Sequence, residues 1–142
     1  MRERFFVDTN ILVYAHDASG GSKHERARTL VEQLWRDRSG VVSTQVLQEL
    51  AVTLRKRSGA AIGPRVTRDL VRDYMAWDVV VNDAASILDA LEIEERYQLS
   101  FWDALIVQAA QSCGASVLYS EDLSDGQKYG TTQVVNPLLE PR

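Results

Sequence analysis

A chain of 142 residues with 45% hydrophobic and 25% charged side chains has the length of one domain and enough apolar material to build a core without staples. Its lone cysteine, Cys113, excludes an internal disulfide and fits a reducing compartment, and no stretch approaches the roughly 18 apolar residues of a membrane span. The net charge of −4 argues against strong non-specific binding to nucleic acid. That charge is unevenly spread: residues 1–75 carry 13 Lys/Arg against 9 Asp/Glu, and residues 76–142 carry 3 against 11. Such asymmetry marks contact with nucleic acid or a basic partner, or only solvated helix faces. Met1-Arg2-Glu3-Arg4 leads straight into a strand-like run without the apolar region of a signal peptide, so a cytoplasmic location is expected.

Short apolar runs alternate with longer helical patterns, which predicts an α/β fold of βαβ units around a mainly parallel sheet of about five strands. Arg4–Asp8 reads as the first strand, followed by a short helix, Thr9–His16, that ends near Gly20-Gly21. In Ser22–Arg38 the residues Ala27, Leu30, Val31 and Leu34 have helical spacing, and Ser22 with Glu25 has the form of a capping box. Val41–Ser43 is a second strand, after which Ser43 or Thr44 caps a helix that runs towards Arg57 and stops at Ser58-Gly59. Gly63-Pro64 starts another helix, with Pro at its first turn. Asp78–Val81 reads as a strand, and Asp83 opens a helix carrying Ile87, Leu88, Leu91 and Ile93. Ser100 opens the most apolar helix, with Leu105, Ile106, Val107, Ala109 and Ala110, and Gly114 lies just past its end. Ser116–Ser120 and Gln133–Val135 complete the strands, and no linker, repeat or low-complexity tract divides the chain.

Four acidic residues stand at the joints of this pattern. Asp8 closes the run Arg4-Phe5-Phe6-Val7, Glu49 interrupts a helical pattern, Asp103 sits at the start of the most apolar helix, and Asp122 follows Val117-Leu118-Tyr119-Ser120. In an open parallel sheet, strand exits and helix starts converge at the carboxyl edge, where ligands bind. Each residue also has an ordinary explanation. Asp8 can cap a helix, Glu49 can be solvated at the border of the face formed by Val46, Leu50 and Leu54, Asp103 can pair with Ser100 as a cap, and Asp122 can belong to a polar turn with Glu121 and Asp125. Gathered together, the four would repel one another unless a cation neutralised them, and oxygen-only ligands favour Mg²⁺ or Mn²⁺.

The ordered set resembles the PIN domain, in particular the VapC-type toxin ribonucleases of bacterial toxin–antitoxin pairs. The resemblance rests on Phe6-Val7-Asp8-Thr9-Asn10-Ile11-Leu12-Val13-Tyr14-Ala15, on Ser43-Thr44-Gln45-Val46-Leu47-Gln48-Glu49-Leu50, on Ser100-Phe101-Trp102-Asp103-Ala104-Leu105-Ile106 and on Leu118-Tyr119-Ser120-Glu121-Asp122-Leu123. It implies a three-layer α/β/α fold with residues 1–142 as a single PIN-like domain. It also implies hydrolysis of RNA phosphodiester bonds by water with Mg²⁺ or Mn²⁺, a cognate antitoxin that reaches the acidic cleft, often through a basic side chain, and a toxin homodimer. Asp8, Glu49, Asp103 and Asp122 would be the catalytic and metal-binding set, with Asp8 and Asp103 as direct ligands and Asp125 as the competitor for the fourth place. Thr9 would orient phosphate or water, Asn10 would fix its loop, and Ser120 would hydrogen-bond an acidic neighbour.

For RNA contact the candidates are Arg55-Lys56-Arg57 and the helical stripe Arg65, Arg68, Arg72, with solvated faces as the alternative. His16 and His24 match no metal motif and read as surface or loop residues, and Cys113 reads as a small buried residue. Trp35, Trp77 and Trp102 read as core or interface, with Trp102, beside Asp103, placed to stack on a base as well. Two other classes compete with the nuclease: a PIN-like binding module without catalysis, and a receiver-type phosphoacceptor domain. A receiver needs a lysine near the last strands, where only Lys128 stands, and it takes its acids mainly from strands rather than helices.

Overall fold

The computed structural model describes residues 3–58 and 62–140, the side chains of Arg57 and Ser58 excepted. In chain order the elements are β1 (Phe5–Val7), α1 (Thr9–His16), α2 (Ser22–Asp37), β2 (Gly40–Ser43), α3 (Thr44–Ser58), α4 (Pro64–Tyr74), β3 (Asp78–Val80), α5 (Ala84–Tyr97), α6 (Phe101–Ser112), β4 (Val117–Tyr119), β5 (Lys128–Tyr129) and β6 (Thr132–Val135). They form a six-stranded sheet in the order β3-β2-β1-β4-β6-β5, flanked by helices. Every pairing is parallel except that of β5 with β6. From β1 the chain moves to β2 and β3 on one side and then crosses to β4 on the other. The gap between β1 and β4 at their carboxyl ends is therefore the topological switch point, where such sheets open a crevice.

The central strands are short and almost fully buried: Phe6, Val7, Val41, Val42 and Leu118 have no exposed surface. Each buried side chain of this size contributes about 1.5–3 kcal/mol. On α6 the residues from Ala104 to Ala110 are buried without interruption, including Gln108, so that helix is enclosed on most sides rather than amphipathic. The Trp77 ring lies directly on Gly40 in β2, where an added Cβ would come within 2.6 Å of Cε3 and Cζ3. Among the described residues no helix is long and apolar enough to cross a membrane.

The structure departs from the sequence reading at identifiable points. The sheet has a sixth strand, β5, only two residues long and set antiparallel against β6 around Gly130, whose φ of 61° suits glycine. A strand this short has no periodicity of its own and exists by virtue of its partner. The N-cap of α2 is Gly21 rather than Ser22, because the turn Ala18–Gly20 delivers the chain at φ 63°, and no side chain caps that end. Glu25 pairs instead with Arg28 at 2.8 Å. A true capping box forms at the start of α5, where Asp83 accepts from the Ser86 N–H and Ser86 Oγ accepts from the Asp83 N–H. The two histidines are half-buried rather than superficial: His16 Nε2 is 2.6 Å from the Tyr74 hydroxyl, and His24 Nδ1 is 2.8 Å from the Tyr14 carbonyl oxygen. Burial lowers the His16 pKa, with the nearby His24 acting in the same direction. Cys113 is half-buried and keeps partial contact with water.

Candidate active site

Asp8 is the first residue after β1, and its backbone N–H continues the β1–β4 ladder by donating to the Tyr119 carbonyl at 2.9 Å. Its carboxylate divides its two oxygens. Oδ1 caps α1 by accepting the Thr9 N–H at 2.7 Å, and Oδ2 accepts from Ser120 Oγ at 2.8 Å. Capping and membership of an acidic cleft thus coexist in one side chain. Ser120 is fully buried at the end of β4, and its Oγ also accepts the N–H groups of Asp122 and Leu123 at 3.2 and 3.4 Å. These bonds turn the chain so that Asp122 lines the cleft. Asp125, the competing carboxylate, accepts the Asn136 N–H at 2.8 Å and is not among the lining residues.

Glu49 projects from α3, and the Thr9 hydroxyl donates to its Oε1 at 2.9 Å. The Thr9 hydroxyl is therefore engaged with a carboxylate rather than left for a phosphate. Asp103 lies in the first turn of α6, whose cap is Ser100: Ser100 Oγ accepts the Asp103 N–H at 3.1 Å, which leaves the Asp103 carboxylate uncommitted to capping. Asn10 Oδ1 accepts the Glu121 N–H at 3.4 Å and ties α1 to the segment after β4. Asp8, Thr9, Asn10, Glu49, Asp103 and Asp122 all line one open cleft of ≈ 220 Å³ at the switch point, with Val13 and Ile106 as its apolar wall.

Among the described residues the cleft gathers negative charge without a basic side chain in its lining. Burial pushes the Asp8 pKa from 3.8 up to about 7, the Asp122 and Glu49 charges add to the rise, and the Ser120 and Thr9 hydrogen bonds oppose it. Asp122 is also raised, by burial first and the Asp103 charge next, with Asn10 opposing. Lys23 is engaged at 2.6 Å with Glu121. Among the described residues no three acidic, His or Cys side chains stand as a preformed metal cage. The donor set is nonetheless all oxygen, and Mg²⁺ needs only one or two carboxylates because it keeps several of its waters.

Other residues singled out from the sequence lie elsewhere. Arg55, Lys56, Arg65, Arg68 and Arg72 are exposed or border other surfaces, and they line no part of the acidic cleft, while the side chain of Arg57 lies outside the described residues; Arg72 borders a separate hollow with His16, Trp35 and Tyr74. Trp77 is buried at 8% exposure and Trp35 stands at 36%, but Trp102 is 62% exposed and lines the cleft. Sequence reasoning missed Gln45 and Thr53, which also line it. Both lie four residues from Glu49 on α3, so the i, i+4 spacing was the available signal.

A mainly parallel α/β sheet with carboxylates gathered at its switch point defines a class: α/β proteins with an acidic cleft. Residues 5–124 match the family model described as the PIN domain, and the chain belongs to that family. No curated protein matches it in sequence. Among solved structures, it is similar to Mycobacterium tuberculosis VapC20, described as a Sarcin-Ricin loop cleaving toxin. There the identity is 23% and the TM-score 0.65, over 83% of this chain and 89% of that one. A toxin–antitoxin complex from Klebsiella pneumoniae shares 19% identity with a TM-score of 0.69, over 95% and 98% of the two chains. Rickettsia felis VapBC2, bound to a DNA fragment from its promoter, shares 18% identity with a TM-score of 0.63, over 92% and 96%. At these identities the likeness is one of fold.

Proposed function

We propose that the protein is a Mg²⁺- or Mn²⁺-dependent endoribonuclease, the toxin of a toxin–antitoxin pair, with Asp8, Glu49, Asp103 and Asp122 as its acidic set. The observation that carries this reading is the convergence of four carboxylates from β1, α3, α6 and the segment after β4 on one cleft, with Asp8 buried there at a pKa of about 7. Uncompensated charge of this kind suits a site whose resting partner is a cation. Asp8 and Asp103 are the proposed direct ligands, while Glu49 and Asp122 hold ligating waters or a second ion. When bound, such an ion supplies Lewis acidity, making an attacking water more acidic and offsetting charge on the scissile phosphate.

The chain's own groups prepare this site. The Thr9 N–H and Ser120 Oγ each take one lone pair of Asp8 and leave the others free, which fixes the carboxylate's orientation. The Thr9 hydroxyl does the same for Glu49. Val13 and Ile106 exclude water from one wall of the cleft, where charge interactions are then less screened.

The fold shared with the Klebsiella and Rickettsia complexes supports a cognate antitoxin as partner. The exposed apolar residues Ile87, Leu88 and Leu91 on α5 support a further protein interface, as a homodimer requires. We place the activity in the cytoplasm, where the single thiol stays reduced. A receiver-type phosphoacceptor is disfavoured because Lys128 is exposed on the edge strand β5, far from β1 in the sheet order.

The test is cleavage of a total-RNA pool by purified protein with Mg²⁺ or Mn²⁺, beside an EDTA sample and Asp8→Asn prepared identically. The expected result is metal-dependent cutting that Asp8→Asn lacks, with end-mapping to name the target RNA. Equal cutting by both proteins would assign the activity to another site or a contaminant. Metal binding without cutting of any RNA would favour the non-catalytic binding module.

A further inference from the structure

We propose that Trp102 is a stacking platform for an unpaired nucleobase of the RNA strand, beside the acidic cleft, with Gln45 as the residue that positions it. The inference rests on the ribonuclease reading and narrows the substrate to single-stranded or looped segments, since a base must leave its helix to stack on a side chain.

Three observations lead to it. Trp102 keeps 62% of its surface open to water while lining the cleft, whereas Trp77 at the sheet edge is 8% exposed. Among the residues lining the cleft, the indole offers the broadest flat face to a ligand. Secondly, the residue is held in place. Gln45 Nε2 donates to the Trp102 carbonyl oxygen at 3.2 Å, and the Phe101 ring stands edge-on to the indole at 5.2 Å and 78°. Thirdly, Gln45 is 4% exposed on a side chain that lines the same cleft, and its buried Oε1 has no hydrogen-bond partner among the described residues. The wall behind Trp102 thus carries an unpaired polar atom where buried acceptors are normally satisfied.

Charge favours an uncharged contact. Among the described residues the cleft has no basic side chain in its lining, and its carboxylates repel an RNA backbone until cations intervene. Stacking is indifferent to that repulsion because every base presents a π-face. Trp102 and Asp103 line the same cleft, so a base on the indole would belong to a nucleotide close to the phosphate at the acids.

The experiment measures binding of a single-stranded RNA of about ten nucleotides and mixed sequence, within the site sizes common for such strands, to wild type, Trp102→Ala and Trp102→Phe. Ca²⁺ replaces Mg²⁺, and gels confirm that the probe stays intact. The readout is tryptophan fluorescence for wild type and anisotropy of a labelled probe for all three proteins. Stacking predicts quenching in wild type and a Kd about 5- to 150-fold weaker in Trp102→Ala. Trp102→Phe should recover most of that loss, and the slope of log K against log salt should be the same in all three proteins. Far-UV circular dichroism checks that the alanine variant folds, as expected for an exposed side chain.

Unchanged affinity in Trp102→Ala would overturn the proposal. So would wild-type affinity combined with a shift from dimer to monomer in light scattering, which would make the indole a contact between protein copies. Normal RNA cutting by Trp102→Ala with unchanged binding would sink the stacking role and leave the nuclease standing. Quenching and weakened binding without any cutting would do the reverse.

Discussion

Replacing Asp8 by asparagine removes a buried acid whose ionisation the fold opposes, and the consequence for stability can be worked out. The pKa is pushed from 3.8 to about 7, chiefly by burial. An acid with a raised pKa binds its proton more tightly in the native chain than in the unfolded one, so native stability falls as pH rises between those two values. The penalty is absent below about pH 4, grows by about 1.4 kcal/mol per pH unit, and is complete above about pH 7 at roughly 4 kcal/mol. Asp8→Asn cannot incur it. Thermal unfolding in EDTA, followed by circular dichroism at a series of values from about pH 4 to about pH 8.5, should show the variant gaining on wild type as pH rises. At about 2–4 °C per kcal/mol, the gap in Tm should widen by about 8–16 °C across that range. Mg²⁺ added at about pH 8 should raise the wild-type Tm and leave the variant's unchanged, because an ion held by Asp8 binds only the native wild type. A gap that stays constant with pH would refute the reasoning, since it would mean that Asp8 titrates alike in folded and unfolded chains.

Three further outcomes follow from the same contacts. Ser120→Ala removes the donor to Asp8 Oδ2 and the acceptor of two backbone N–H groups. Denaturation should show a loss of about 1–3 kcal/mol, and the acid limb of the cleavage pH profile should move to higher pH as Asp8 loses a bond that lowers its pKa. Thr9→Val frees the Glu49 carboxylate from its 2.9 Å hydrogen bond, and calorimetry should find Mg²⁺ affinity or activity reduced about 10- to 100-fold with little change in Tm. Gly40→Ala forces a methyl group against the Trp77 ring at 2.6 Å, and thermal unfolding should register a loss of about 1–3 kcal/mol or more, with cleavage retained at low temperature.

The sequence by itself determined most of the local elements. Apolar periodicity marked five of the strands, Pro64, Asp83 and Ser100 marked helix starts, and the order of Asp8, Glu49, Asp103 and Asp122 carried the likeness to PIN domains. These features are legible because spacing along the chain is itself the cause of helical and strand faces. Only the tertiary structure decided the rest. That Asp122 rather than Asp125 lines the cleft depends on the Ser120 hydroxyl, which also holds Asp8 at the end of the neighbouring strand, and on the Asn136 N–H that occupies Asp125. The strand β5 exists only against β6, and Gly21 displaces Ser22 as a cap because of the turn before it. The exposure of Trp102 and the raised pKa of Asp8 are likewise properties of what surrounds a side chain. Burial and field at a residue are sums over neighbours distant in sequence, and those neighbours are assembled only when the chain crosses from β3 to β4 and closes the cleft.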